Sequence, residues 1–257
     1  MKVVILAGGL GSRISEESIF KPKPLIEIGG LPILTHIMRI YSHYGFNDFI
    51  ICCGYKGTLI KEYFLNYRNY CSDFTINLSN NSITYHNDFF SNLKVTLIDT
   101  GLNTMTGGRL KRLSHLLSQE DIFFMTYGDG LSNINLLELL EFHKTTDALC
   151  TLTAVIPPAR FGSLKIKNNK VISFKEKLVG DIGFINGGFF VLSPKVLDFI
   201  TSDNSVFESD TLEILSSINQ LSCYKHQGFW HPMDTMRDKN YLESLWDSGD
   251  APWKLIS

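Results

Sequence analysis

The sequence predicts an α/β protein with a Rossmann-like, mixed and mainly parallel sheet flanked by helices. Three observations carry this. Apolar strand-like runs alternate with helical patterns through the first half, the pattern of a parallel sheet wrapped by helices. The opening run Val3-Val4-Ile5-Leu6-Ala7 meets Gly8-Gly9 at once, as a buried strand entering a tight loop does. The second half then changes to hairpin signals, which turns the sheet mixed.

Val3 to Ala7 reads as the first strand. Ile33 to Tyr44 reads as a helix with Pro32 near its first turn and Leu34, Ile37, Met38 and Tyr41 along one face. Phe49 to Cys53 is the next strand, and Asn80-Asn81 marks a small hairpin. Further strands are expected at Val95 to Ile98, Ile122 to Tyr127 and Leu149 to Ile156, with helices near Arg109 to Leu117 and Asn135 to His143. Ser163 to Ile166 and Val171 to Lys175 flank Asn168-Asn169 as a second hairpin, and Phe184 to Leu192 is one more strand. Tyr241, Leu242, Leu245 and Trp246 give a C-terminal helix whose apolar face lies on the body or supports an oligomer interface.

No linker, low-complexity tract or repeat divides the 257 residues, so one domain is expected, with a substrate-binding second half. A hydrophobic share of 44% with 8 prolines favours a sizeable core over disorder. The 24 Lys and Arg against 26 Asp and Glu leave no basic field, which argues against nucleic acid as a partner. The apolar opening is too short for a signal segment or a membrane span, so a soluble, cytoplasmic protein with no membrane partner is expected. Five cysteines, an odd set with no Cys-x-x-Cys pair, read as buried reduced thiols.

Gly8-Gly9-Leu10-Gly11-Ser12-Arg13 follows the first strand directly. Glycines there let backbone N–H groups approach a phosphate chain, and a basic side chain at the loop's end neutralises it; a plain glycine turn is an equal reading for the glycines alone. Ile14 stands where the dinucleotide fingerprint needs glycine, and no Gly-Lys-Ser/Thr of a P-loop follows. Lys21-Pro22-Lys23-Pro24 breaks the tie. Its prolines stiffen the chain, so the lysines are presented to phosphate at small entropic cost.

Asp129, between glycines at the end of a strand, sits where open α/β sheets place their ligands, though Gly-Asp-Gly alone is more often a turn. Asp234 precedes the last helix, where Asp is also a good N-cap. Arg109 opens an expected helix, and a helix N-terminus with a guanidinium suits an anion; Lys111 and Arg112 behind it read as a solvated face. His226 and His231 read as packed or surface residues, because no His-Cys spacing here suits zinc.

The glycine loop with the Lys-Pro pair resembles the signature of the sugar-phosphate nucleotidylyltransferases. Further segments are similar to a branch of that family acting on CTP and glucose 1-phosphate: Glu27-Ile28-Gly29-Gly30, Cys52-Cys53-Gly54-Tyr55-Lys56-Gly57, Thr106-Gly107-Gly108-Arg109-Leu110-Lys111-Arg112, Tyr127-Gly128-Asp129-Gly130, Ile185-Asn186-Gly187-Gly188-Phe189-Phe190 and Pro232-Met233-Asp234-Thr235 with Arg237-Asp238-Lys239. The resemblance implies nucleotidylyl transfer from CTP to α-D-glucose 1-phosphate, giving CDP-glucose and pyrophosphate for surface polysaccharide. It also implies Mg²⁺ as cofactor and a homo-oligomer, a hexamer in the family.

The resemblance further implies Arg13 and Lys23 as catalytic residues. Leu6, Ala7, Gly8, Gly9, Leu10, Gly11, Ser12, Arg13, Lys23, Thr104, Arg109 and Gly128 would surround the nucleotide. Glu176, Lys177, Asn186 and Gly187 would surround the sugar phosphate, and Asp129 and Asp234 would hold the metal. Residues 1–130 would then be mainly the nucleotide half and residues 131–257 the sugar-phosphate half with the C-terminal helix. Ser12 stands where the family commonly has Thr, and Leu178 where a proline usually follows the Glu-Lys pair. The rival readings are a thymidylyl- or uridylyltransferase and a non-catalytic nucleotide-sugar sensor.

Overall fold

The computed structural model describes residues 1–86, 92–158, 163–167, 170–175 and 183–255. The chain opens with β1 (Lys2–Leu6), a short α1 (Ser15–Ser18), the pair β2 (Glu27–Ile28) and β3 (Leu31–Pro32), and α2 (Ile33–His43). β4 (Asp48–Cys53), α3 (Gly57–Leu65), α4 (Tyr67–Cys71), the hairpin β5 (Phe74–Asn77) and β6 (Ser82–Tyr85), and β7 (Lys94–Asp99) follow. Next come α5 (Thr106–Lys111), α6 (Ser114–Leu117), β8 (Phe123–Tyr127), β9 (Gly130–Ser132), α7 (Leu136–Lys144) and β10 (Cys150–Val155). The remainder is β11 (Ser163–Lys167), β12 (Lys170–Lys175), β13 (Ile185–Asn186), β14 (Phe190–Leu192), α8 (Leu212–Ser217), β15 (Leu221–His226), β16 (Trp230–Pro232) and α9 (Met236–Asp247).

The main sheet has eight strands in the order β13-β10-β14-β8-β1-β4-β7, with β15 paired to β10. β1 lies between β8 and β4, parallel to both, and β7 extends the parallel run. β14 is antiparallel to β8 and β10, so the sheet is mixed as expected. Successive β1 side chains go to opposite faces: Val3 and Ile5 join the core under α2, Val4 and Leu6 the core under α5 and α8. On α2, Leu34, Ile37, Met38 and Tyr41 are all buried as their spacing predicts, and Leu34, Ile37 and Met38 each contribute about 1.5–3 kcal/mol through that burial.

Three expectations need correction. The helix expected at Arg109 to Leu117 is two helices, because the Ser114 hydroxyl donates to the Lys111 carbonyl at 2.5 Å and competes with the ladder. The strand expected at Phe184 to Leu192 is split between β13 and β14. Thr153 bonds both Gly187 N and the Gly188 carbonyl, and Phe189 takes φ 48°, which bulges the chain there. Of the thiols, Cys52, Cys53 and Cys150 are buried, while Cys71 is half-buried and Cys223 exposed.

The Asn80-Asn81 hairpin is β5 and β6, and β11 pairs antiparallel with β12 as expected; the Asn168-Asn169 turn lies outside the described residues. On α9, Leu242 is buried and Leu245 and Trp246 pack on the core, but Tyr241 is exposed. No helix among the described residues is long and apolar enough to cross a membrane.

Candidate active site

Where β1 and β8 end, the chain opens a cleft of about 550 Å³. Its lining contains every residue expected to surround a nucleotide: Leu6, Ala7, Gly8, Gly9, Leu10, Gly11, Ser12, Arg13, Lys23, Thr104, Arg109 and Gly128, with Asp129 beside them. Gly11 takes φ 66°, and an added Cβ would lie 3.2 Å from Lys23 Cβ, so this turn requires glycine. At Gly128 a Cβ would lie 3.1 Å from the Leu6 carbonyl, which binds Gly128 N at 3.0 Å.

The Lys-Pro segment separates its two lysines. Pro22 is extended and Lys23-Pro24-Leu25 forms a 3-10 turn, which buries Lys23. Lys21, also expected to meet phosphate, instead pairs with Glu27 at 2.7 Å. Lys23 Nζ donates to Asp129 Oδ2 at 2.6 Å and to Asp234 Oδ1 at 2.7 Å, while Arg13 Nη1 donates to Asp234 Oδ2 at 2.7 Å. Burial by itself lowers the Lys23 pKa; charge and hydrogen bonds from Asp129 and Asp234 outweigh it, and the ammonium is held above its ordinary value.

A small ladder brings the two carboxylates together. β9 and β16 pair antiparallel with Pro232 opposite Gly130, and Met233 N donates to the Asp129 carbonyl at 2.8 Å. Asp129 and Asp234 therefore leave the same end of the ladder. Asp234 is not the cap of α9. Thr235 is, its hydroxyl accepting from Asp238 N while the Asp238 carboxylate accepts from Thr235 N, a reciprocal capping box. The cap reading of Asp234 is thereby replaced.

Arg109 also differs from its expectation. It lies inside α5, not at an N-terminus, and is buried. Its Nη1 donates to the Cys53 carbonyl at 3.2 Å, Thr100 Oγ1 at 2.8 Å and the Gly101 carbonyl at 2.7 Å; its Nη2 donates to the carbonyls of Gly8 at 3.0 Å and Leu102 at 3.2 Å. One guanidinium thus ties the glycine loop to the ends of β4 and β7. Gly8 and Gly54 make room for it, since a Cβ at either would lie 2.2 Å or 2.5 Å from Nη1. Burial lowers its pKa, the cost of placing the charge among neutral acceptors.

Of the two residues expected on a solvated face, Arg112 is exposed as expected, whereas Lys111 is half-buried. Lys111 donates to the Leu197 carbonyl at 2.7 Å, and Arg112 pairs with Asp203 at 2.6 Å. His226 and His231 are packed residues, His226 against Ser132 and the Phe229 carbonyl, His231 against the Pro232 carbonyl.

Of the expected sugar-phosphate residues, Glu176 and Lys177 lie outside the described residues, as does Leu178. Asn186 reaches Tyr127 Oη at 3.3 Å, and the Gly187 carbonyl accepts from Trp230 Nε1 at 2.7 Å. Sequence reasoning missed Pro24, Leu102, Asn103, Met105, Thr106 and Tyr127 as lining residues. The Thr106 and Tyr127 motifs were visible, but nothing in a sequence says which of their side chains turn inward.

A mainly parallel α/β sheet that gathers a glycine loop, a buried lysine and two converging carboxylates at its strand ends is the build of a nucleotidyl transferase, and the chain belongs to that family, whose model matches residues 2–247. Within it the chain belongs with the glucose-1-phosphate cytidylyltransferases. It is 52% identical over 254 residues to the glucose-1-phosphate cytidylyltransferase of Salmonella typhimurium (strain LT2), covering 99% of both chains. The identity to the Salmonella typhi protein of that name is also 52%, over 99% of each chain. The fold is shared with HddC from Yersinia pseudotuberculosis complexed with GMP-PN, at TM-score 0.69 and 24% identity over 95% of this chain and 99% of that one.

Proposed function

We propose that the chain transfers the cytidylyl group of CTP to α-D-glucose 1-phosphate, giving CDP-glucose and pyrophosphate. The observation that carries this is the ion cluster of Lys23, Arg13, Asp129 and Asp234 beside the glycine-lined cleft, in a chain half identical to proteins named for that reaction. A phosphate oxygen of the sugar attacks the α-phosphorus of CTP, a new P–O bond forms, and the bond to the β-phosphate oxygen breaks. No protein nucleophile is needed; the protein holds two polyanions in line and offsets their charge.

The Gly8 carbonyl accepts from Arg109 and from Tyr55 N at 3.1 Å, on the buried side of the loop. In a trans peptide the Gly9 N–H then points the other way, to where a triphosphate would lie. A Cβ on Gly9 would meet nothing within 4 Å among the described residues, so its glycine serves the approach of a ligand. Arg13, 74% exposed at its side chain, is free to swing from Asp234 to the triphosphate, and Lys23 would stabilise charge growing on the α-phosphate.

Asp129 and Asp234 would hold Mg²⁺. The donor set fits, since two hard carboxylates already converge on one cation, the Lys23 ammonium. When bound, the ion supplies positive charge to phosphate oxygens. Asn186 and Gly187, with Glu176 and Lys177, would face the sugar phosphate. The cleft is lined from within residues 6–129, which supports a nucleotide half at 1–130 and a sugar-phosphate half at 131–257 of one domain. The same reading makes the protein cytoplasmic and a homo-oligomer.

Pyrophosphate release from a panel of nucleotides crossed with sugar 1-phosphates tests the proposal. CTP with glucose 1-phosphate should be the best pair. UTP should be poorer by as much as ~10⁴ in kcat/KM, because a site that accepts the cytosine amino group opposes the uracil oxygen. Equal rates with UTP would remove the base assignment, and no release from any pair would favour a sensor.

A further inference from the structure

Behind two of the cleft's lining side chains stands a carboxylate with no part in the chemistry above. Glu208 Oε1 accepts from Tyr127 Oη at 2.5 Å, and Glu208 Oε2 accepts from Thr106 Oγ1 at 2.7 Å. Glu208 belongs to a π-helical turn, Phe207–Thr211. Such wide turns cost helix geometry and cluster at functional sites.

The segment around it is docked backbone to backbone on α5. Met105 N donates to the Asp203 carbonyl at 2.8 Å, Gly108 N to the Ser205 carbonyl at 3.2 Å, and Phe207 N to Thr106 Oγ1 at 2.9 Å. A Cβ on Gly107 would lie 2.7 Å from the Ser205 carbonyl oxygen, and one on Gly108 2.4 Å from that of Asp203. The glycines of Thr106-Gly107-Gly108 therefore exist to let this segment, and with it Glu208, come close.

The hydrogen-bond inventory of the network is directional. Both Glu208 oxygens accept here, so the protons of Tyr127 and Thr106 both turn towards it. The Tyr127 oxygen is then left as an acceptor, and Asn186 Nδ2 donates to it at 3.3 Å. Asn186 Oδ1 accepts from Gly188 N at 2.9 Å, which fixes the other end of the amide. The Tyr127 ring is itself held edge-on to Phe190, against Gly188, where a Cβ would lie 3.0 Å from the ring. One Asn186 N–H remains without a partner among the described residues.

We propose that Glu208 is a positioning residue for the sugar-phosphate side of the site: it orients the Tyr127 hydroxyl, which fixes the Asn186 amide so that its second N–H is presented to a sugar hydroxyl. The inference rests on the reading that Asn186 faces the sugar. Burial, and after it the Glu208 carboxylate, raises the Tyr127 pKa, so the phenol remains a donor to Glu208 throughout the working range.

Glu208→Gln tests it, because the amide puts a donor against one of the two hydroxyls while conserving size. KM for glucose 1-phosphate should rise about tenfold, the scale of one lost hydrogen bond, with kcat within about twofold. The dissociation constant of CTP, measured by calorimetry without sugar, should stay within about twofold. Tyr127→Phe should give the same split, and the double variant should be no worse than either alone, as for residues acting in series. Weaker CTP binding in Glu208→Gln, or additive losses in the double variant, would overturn the inference. Asn186→Ala separates the layers. An unchanged sugar KM there removes the sugar-side reading itself, whereas a raised KM in Asn186→Ala with a normal one in Glu208→Gln removes only the role of Glu208. Tyr127→Phe, which deletes one oxygen and leaves the ring packed, answers the question should Glu208→Gln fail to fold.

Discussion

Lys23 and Asp234 are 211 residues apart in the chain, and Lys23 Nζ lies 2.7 Å from Asp234 Oδ1. The same ammonium also meets Asp129, so the group proposed to act on phosphate and the carboxylates proposed to hold metal form one cluster. Among the described residues the cluster sets the charges of Arg13 and Lys23 against the carboxylates of Asp129 and Asp234. A triphosphate with its cation adds charge to both halves at once, and the internal pairs can open without leaving either half uncompensated.

Lys23→Ala is expected to lower kcat by about 10²–10³ while changing CTP binding far less, because the ammonium acts on charge that grows in the transition state. Steady-state rates with calorimetric CTP titration check this. A normal kcat with a raised KM would remove the role.

Asp234→Asn isolates charge from helix structure. Thr235 and Asp238 cap α9, so the helix should persist by circular dichroism, whereas activity at limiting Mg²⁺ should fall at least about tenfold with loss of a charged oxygen ligand. Thr235→Ala is the converse: about 1 kcal/mol of stability lost in chemical denaturation. Full activity of Asp234→Asn at limiting Mg²⁺ would overturn the metal assignment.

Arg109→Met should destabilise the protein by roughly 3 kcal/mol, since acceptors on three segments lose a shared charged donor at once while the Gly8 and Cys53 carbonyls keep only their bonds from Tyr55 and Thr100. Gly54→Ala should act through the same contact, its Cβ falling 2.5 Å from the guanidinium. Denaturant unfolding of both variants provides the check, and a neutral Arg109→Met would show that water replaces the guanidinium.

His36 predicts an acid limit. Its Nε2 faces the Ile28 carbonyl at 2.8 Å and its Nδ1 accepts from Trp253 Nε1 at 3.3 Å, an arrangement that suits only the neutral ring. Burial lowers its pKa from 6.5 to about 4. A histidine depressed on folding contributes fully above its unfolded pKa, and the contribution is lost as pH falls from 6.5 through about 4, a total of roughly 3 kcal/mol. Unfolding free energy measured across that window should fall accordingly, and His36→Gln should flatten the slope.

The sequence by itself determined the α/β class, the strand at Val3 to Ala7, the buried face of α2 and the glycine-loop and Lys23 wall of the cleft, because these depend on local period, turn chemistry and a contiguous glycine-lysine signature. Tertiary structure alone decided what each charged group faces. Lys21 and Lys23 are two residues apart in a stiff segment, yet one meets Glu27 at the surface and the other, buried, meets two half-buried carboxylates. Asp234 looked like a cap until the β9–β16 register carried it to Asp129 and left the cap to Thr235. Arg109 was expected at a helix N-terminus but lies inside α5, with the strand ends of β4 and β7 bonded to its guanidinium at the cleft wall, and Glu208 carried no signal at all before α5 and the 203–208 segment met. The reason is physical. Backbone periodicity is written within a few residues, whereas the partner of a charge is set by where distant segments bring their ends together.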